Sequence, residues 1–480
     1  MSLFYGLPGA LFLFRLTNPE PSLSNLSRTA TFSPTIPLAT SFPAMSFPKS
    51  ARLLLSLFSF ATAQAQSPKP RVYFADIDNF WVAYDSLRTT PDSIRQVQYL
   101  QRLYIAKGTP GLRAFMQVKG YTAGEWVSSI RRHPRFWQSI RPNTQLVKTS
   151  ARGLEPYLAK FRQLYPALRP AAIYFTIGAL RSGGTTQDSL VLIGAELATG
   201  NPQTDISEFT PTEKAFLTRA YARKPAEHLV LVNVHEYVHT QEKGSGETLL
   251  AQALYEGVCD LVAELVTGQV PALPYMAYGP AHEPALKAKF KADMFYPYYA
   301  NWFYNQQSLD PSHVPDLGYY MGYAICKSYY RRAKNKPQAL KEMIELDFTS
   351  ETAVEAFLRK TRYYSEALDK AQLLRAYEQH QPRVTGTVPA TNTPLDPATT
   401  ELRITFSTPM DTPIHNEYGP GGKDQFPIVG RVGWAADKLS YTYKVALQPG
   451  HTYNFILYGG GFRALDGHPL KDYEVKFTTK

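Results

Sequence analysis

The chain has 480 residues, of which 44% are hydrophobic and 19% charged. That is enough apolar material for one large globular domain plus a smaller one, and too much for a disordered chain. The formal net charge is +11, but Arg15, Arg28, Lys49 and Arg52 against Glu20 supply +3 of it within the first 65 residues, and the remainder is spread along the sequence. With no Lys/Arg block that tracks phosphates and no nucleic-acid motif, no nucleic-acid partner is expected, whereas contact with anionic surfaces or acidic substrates suits the balance.

Residues 45–67, MSFPKSARLLLSLFSFATAQAQS, carry a basic stretch (Lys49, Arg52), an apolar run from Leu53 to Ala61 and Ala63-Gln64-Ala65 as an A-x-A cleavage site. This order reads as a secretory signal peptide cleaved after Ala65. The apolar run is too short to span a bilayer, so no transmembrane anchor is expected. Met45 offers a natural start, which makes residues 1–44 an upstream extension. The plainer reading is a Pro/Ser-rich disordered leader. No cysteine precedes Cys259, which excludes lipid attachment at a processed N-terminal cysteine. Export to the periplasm, the medium or the cell surface follows, and it would let Cys259 and Cys326 pair; the spacing leaves a disulfide and two buried thiols equally open.

From about Asp76 to Gln381 most segments read as helical. In SIRQVQYLQRLYIAKG (93–108) and EPYLAKFRQLYPAL (155–168) apolar residues recur at three- and four-residue spacing. Residues 171–197 interrupt the pattern: two β-branched and aromatic runs flank RSGGTTQDS, the composition of a strand, a turn and a strand. From Pro382 onward short β-rich runs alternate with Pro, Gly and Asp turns, which predicts a separate β-sandwich over 382–480. The expected organisation is therefore α+β: an upstream and signal segment (1–65), a helix-rich domain with a small sheet (66–381) and a sandwich.

EHLVLVNVHEYVHTQ (227–241) holds His235 and His239 four apart, so on a helix both imidazoles project from one face and can bind a single tetrahedral zinc. Glu236, about 100° around the helix from the first histidine, is placed to reach a metal-bound water rather than the metal, the position of a general base. Seventeen residues after His239 comes Glu256, far enough for one helix to end near KGSG and a second, ETLLAQALYEGVCDLVAEL, to return past the site. Glu256 is the expected third ligand. Asp260 shares its face one turn on and can accept the free N–H of a ligating histidine. A third histidine of the HExxHxxGxxH kind is excluded, because positions 242 and 245 hold Glu and Ser.

At these residues the chain resembles the zincin metallopeptidases that pair HExxH with a glutamate on a following helix, the gluzincins. DIDNFWVAYD, HEYVHTQ, EGVCDLVAEL and DLGYYMGYAICKSYY, in this order, resemble a group of exported bacterial proteins regarded as zinc-dependent proteases. The likeness covers about residues 72–375. It implies a zincin-like catalytic domain with one Zn2+ per chain held by His235, His239 and Glu256, Glu236 as general base, and a peptide or protein substrate. For the oxyanion donor the resemblance directs attention to Tyr319 and Tyr323, which share a helical face in a chain of 32 tyrosines and have core packing as their plain alternative. Zincins also bind extended substrate along a sheet edge beside the HExxH helix; SGGT and VLIGAEL are the candidate edge. Glu196 in IGAE resembles the substrate-amine glutamate of some gluzincin aminopeptidases, with an exposed strand-end carboxylate as the alternative.

His282, His313 and His451 lack a partner at ligand spacing. KGSGETLL lacks the ending of a phosphate loop and reads as a turn and helix start, with Ser245 or Thr248 as cap. The C-terminal stretch, from TPLDPATTELRITFSTPMD to KFTT, resembles bacterial Ig-like domains, which implies display, stabilisation or cell-surface contact and no chemistry. Two functions are therefore expected from this sequence: a zinc-dependent peptidase, or a non-catalytic cell-surface or secreted binding protein whose zinc site is structural or vestigial.

Overall fold

The computed structural model describes residues 71–150, 153–306, 312–411 and 415–480; the signal-peptide segment and Met45 lie outside them. The first region is helix-rich. Its helices are α1 (Ala75–Leu87), α2 (Ser93–Leu100), α3 (Pro110–Lys119), α4 (Ala123–Arg132), α5 (Pro134–Ser150), α6 (Leu154–Leu164), α7 (Ala195–Ala198), α8 (Pro211–Ala222), α9 (Leu229–His239) and α10 (Leu249–Thr267). They continue as α11 (Pro274–Asp293), α12 (Leu317–Arg332), α13 (Lys336–Ile344), α14 (Glu351–Thr361) and α15 (Lys370–His380). Local chemistry sets many of the starts: Thr122 and Thr210 close capping boxes with Glu125 and Glu213, and Thr248 caps α10 by accepting from Ala251. The 93–108 segment is helical but not uniform, since α2 passes into a π-turn at Gln101–Ile105.

A four-stranded sheet, order β1-β2-β4-β3, lies within this body: β1 (Arg71–Tyr73), β2 (Ala172–Thr176), β3 (Gly184–Gln187) and β4 (Leu190–Gly194). The expected strand, turn and strand over 171–197 takes a richer form. β2 and β4 run parallel, while GTTQ, read as part of the turn, is itself a strand paired antiparallel to β4. Its threonines are β-branched, and the reversal is compressed into Asp188 and Ser189, with Asp188 at φ 51°. β3 is one of the two outer strands and packs against α9.

One core joins Phe80, Trp126 and Trp137 of the early helices to Val234, Val258 and Ile325 of α9, α10 and α12. α10 is buried along nearly its whole length. It packs closest on α12, where Gly257 and Gly322 face each other and a Cβ on either would overlap the opposite backbone. Thus the helix carrying Glu256 is fixed by backbone-to-backbone contact.

After α15 the chain forms β5 (Val384–Val388), β6 (Glu401–Phe406), β7 (Asn416–Tyr418), β8 (Ile428–Trp434), β9 (Ser440–Val445), β10 (Thr452–Leu457) and β11 (Tyr473–Thr478). Sheets of order β5-β6-β9-β8 and β11-β10-β7 enclose a second core that includes Leu402, Ile404, Tyr443, Phe455 and Leu457. Among the described residues no helix is long and apolar enough to cross a membrane.

Candidate metal centre

α9 and α10 bring the two histidines and Glu256 together. Nε2 of His235 lies 3.2 Å from Nε2 of His239, and Oε2 of Glu256 lies 3.3 Å from each. Three donors of one tetrahedral zinc, each about 2.0–2.1 Å from the ion, stand about 3.3–3.4 Å apart. The observed triangle fits that spacing, and its atoms are two imidazole nitrogens and one carboxylate oxygen, a donor set suited to zinc.

Each donor is aimed by a partner behind it. Nδ1 of His235 meets Oδ1 of Asp260 at 2.9 Å, and Tyr275 donates to the other oxygen of Asp260 at 3.0 Å. Nδ1 of His239 meets Oε2 of Glu242 at 2.7 Å. Oε1 of Glu256 accepts from Gln252 at 3.1 Å and from the Tyr304 hydroxyl at 3.4 Å, which turns Oε2 toward the histidines, where it has no hydrogen-bond partner. Both oxygens of fully buried Glu236 are likewise without a partner. Buried carboxylate oxygens left in this way are costly unless another group engages them.

The electrostatics follow from burial and these carboxylates. Burial alone lowers the imidazole pKa values, but Asp260 and Glu256 hold His235 up at about 9, and Glu256 and Glu242 hold His239 up at about 10. Burial raises Glu256, yet the two histidines outweigh it and bring the carboxyl down to about 2. Burial raises both Glu242 and Asp260. At the C-terminal end of α3, burial lowers the Lys119 ammonium to about 8 while the charge of Glu236 pulls the other way.

His235, His239 and Cys259 also gather within 4.8 Å through one donor atom each. The thiol is a poorer third donor than Glu256. Its sulfur lies 3.3 Å from Nδ1 of His239, the nitrogen already held by Glu242, so it sits behind the ring and not where the two Nε2 atoms converge. Cys259 and Cys326 are both free and buried, with no disulfide between them.

Two sequence-derived assignments need correction. The Tyr323 hydroxyl donates to Glu264 at 2.5 Å and is joined there by Lys327, so it is committed away from the triangle. Tyr319, on the preceding turn, packs instead beside His235, ring centroids 6.5 Å apart. Glu196 is fully buried, and its carboxylate accepts from the backbone N–H groups of Gly178 and Leu180; enclosed in this way it holds the chain after β2 and cannot meet a substrate amine. His282, His313 and His451 each bond a backbone carbonyl and stay outside the cluster.

Glu242, Gln252, Tyr275, Tyr304 and Lys119 were missed in the sequence. Glu242 and Gln252 had a signal, i+3 from His239 and i−4 from Glu256. The other three arrive from distant segments and had none. Beside the cluster, α8, α9 and residues 271–275 line a largely apolar cavity of about 100 Å³, with Leu217, Ala220, Tyr221, Leu231, Val232 and Leu273 in its wall. Leu231 and Val232 stand one helical turn before His235 and Glu236.

Comparison with known proteins adds a domain assignment. Among solved structures, one of surface layer protein SbsC, domains 1-6, aligns at 15% identity and TM-score 0.17, over 57% of this chain and 37% of that one. The N-terminal part of the bacterial S-layer protein SbsC aligns at 11% identity and TM-score 0.14, over 84% and 76%. At such TM-scores the likeness carries no argument. No curated protein matches the chain. Residues 378–479 match the bacterial Ig-like domain family, so the C-terminal sandwich is a bacterial Ig-like domain, a module compatible with a cell-surface or secreted protein.

Proposed function

We propose that this chain is an exported zinc-dependent peptidase in which His235, His239 and Glu256 hold the metal and Glu236 is the general base. The observation that carries the reading is the donor triangle of 3.2, 3.3 and 3.3 Å with an unpartnered buried glutamate next to its first histidine. A zinc ion bound there supplies Lewis-acid polarisation of a carbonyl and a lowered pKa for water. Glu236 takes the proton of the attacking water as the C–O bond forms and delivers it to the leaving nitrogen as the C–N bond breaks. Asp260 and Glu242 keep both Nδ1–H groups engaged, so that both Nε2 atoms stay available as donors.

Among the described residues β3 has only β4 beside it in the sheet, and its outer edge suits an extended peptide added as a further strand next to α9. The apolar cavity one turn before Glu236 suits a bulky apolar side chain of that peptide. Tyr319, beside His235, replaces Tyr323 as the side-chain donor for developing negative charge. The Ig-like domain would place the enzyme at the cell surface or in the medium.

The test is metal content by mass spectrometry for the full chain and His239→Ala, with cleavage of a mixed peptide library by wild type and Glu236→Gln. One zinc per chain lost in the histidine variant, with cleavage lost in the glutamine variant, is the expected result. A second reading, a non-catalytic surface protein with a structural or vestigial zinc site, is favoured by the enclosure of the cluster, whose His235, Glu236 and Glu256 are fully buried. Zinc bound with no cleavage of any library peptide would select it, and no zinc at all would sink the peptidase.

A further inference from the structure

The segment from Met294 to Gln306 lies between the Ig-like domain and the metal cluster and bonds to both sides. On the α10 side, Leu249 and Leu250 donate to the carbonyls of Tyr296 and Met294, and the Tyr304 hydroxyl reaches Glu256 and accepts from Gln252. On the Ig-like side, Asn301 donates to the carbonyl of Gly467 at 2.8 Å. Gln381 spans from Tyr296 to the carbonyl of Pro469, and His468 packs against Tyr377 and His380 of α15.

Through the segment and Asp316 the connection is continuous. Asn305 donates to the carbonyl of Asn301 and accepts from the N–H of Asp316, and Asp316 in turn accepts from the N–H of Tyr304 at 2.8 Å. Tyr304 and Asp316 both have left-handed backbones, φ 58° and 63°, a conformation a bulky side chain keeps only when its surroundings impose it. Gly467 is fitted to the contact: at φ +93° a Cβ there would stand 2.7 Å from Nδ2 of Asn301.

We propose that the Ig-like domain is a buttress of the metal centre: through Gly467 and Asn301 it holds the strained turn at Tyr304, which aims the carboxylate of Glu256. Asn301 and Tyr304 are positioning residues on this account, and the inference rests on Glu256 being a ligand. It assigns the C-terminal domain a part in the site in addition to display.

The experiment uses the full chain with Asn301→Ala and Gly467→Ala, plus Ile404→Val as a control that loosens the Ig-like core without touching the contact. Hydrogen exchange at the Tyr304 amide is read first, on metal-free protein. Protection in wild type and the control, lost in both contact variants, supports the buttress; unchanged protection in the contact variants overturns it, whether or not zinc is bound. Zinc affinity by chelator competition follows. It should weaken about tenfold in the contact variants, the low end for loss of a group that orients a ligand, and the contact variants should add nothing further in a Tyr304→Phe background. Additive losses would overturn the route through Tyr304. A wild type that binds no zinc would refute the peptidase reading and with it the metal-centre role, and the exchange result would then judge only whether the Ig-like domain holds the turn at Tyr304.

Discussion

Gly257 and Gly322 meet face to face where α10 crosses α12, with an ideal Cβ on Gly322 only 3.2 Å from the Cα of Gly257 and overlapping the carbonyl of Ala253. Glu256 is the residue next to this contact, so the spacing of the two helices and the position of its carboxylate are one and the same constraint. A methyl at Gly322 can be accommodated only by moving backbone. Gly322→Ala should therefore lower stability by about 3 kcal/mol, the upper end for overpacking, and weaken zinc binding with it. Urea unfolding checks this; an unchanged midpoint would mean that the helices can separate freely.

The carboxylates behind the histidines should matter for affinity more than for folding. Asp260→Asn and Glu242→Gln each remove a charged acceptor from an Nδ1 at 2.9 and 2.7 Å. Zinc affinity should drop about 10- to 100-fold in each, measured by competition with a chromophoric chelator. Equal affinity in wild type and Glu242→Gln would favour Cys259 as the group that matters near His239.

Zinc uptake should release protons. His235 and His239 are held up at about 9 and about 10 by their carboxylates, so the metal-free cluster holds protons at neutral pH that a metal must displace. Titration calorimetry in buffers of different ionisation enthalpy should show about two protons released per zinc. Affinity should rise with pH up to that range. A release near zero would show that the rings are already neutral.

Glu196 makes a separate contribution to pH dependence. Burial raises its pKa from 4.5 to about 7 in the folded protein, against the opposing hydrogen bonds from Gly178 and Leu180. Between those values the folded state binds a proton that the unfolded chain has released, so this group's term lowers stability as pH rises, by about 3 kcal/mol in full. Glu196→Gln removes the term. The unfolding free energy of the variant relative to wild type should move in the variant's favour from pH 5 to pH 8, and a constant difference would refute the assignment.

Filling the apolar cavity should alter which peptides are cut. Ala220→Phe narrows it from the α8 side without touching the cluster. The library cleaved by wild type should shift from bulky apolar toward small side chains at one subsite, with zinc content unchanged. Identical cleavage profiles would place the substrate side chain elsewhere.

That these side chains gather in one cluster is legible in the sequence because its parts are local. His235, Glu236 and His239 follow from helical periodicity, and Glu256 and Asp260 need only one turn between two helices. The sandwich is legible from alternating β-rich runs and turns. Tyr323 was misplaced because helical spacing says which residues share a face but not which neighbour that face meets; here Glu264 and Lys327 capture the hydroxyl. Glu196 misled for a similar reason, since the glycine whose backbone it accepts from, Gly178, belongs to another strand end. β3 was hidden inside a turn-like composition, and Tyr304 reaches Glu256 only through a tertiary fold that brings the 294–306 segment back across α10.

Cys259 and Cys326 are both reduced and enclosed, in the heart of α10 and α12, and burial pushes both thiols far above their ordinary pKa. The fold therefore asks nothing of an oxidising compartment or of a disulfide-forming catalyst, and the same native state should be reached in reducing and oxidising media. It also carries two silent alarms. A thiol-reactive dye can label them only when the helix pair opens, so the labelling rate, slowed by zinc if the proposed site binds it, would report the opening of the His235–His239–Glu256 cluster itself.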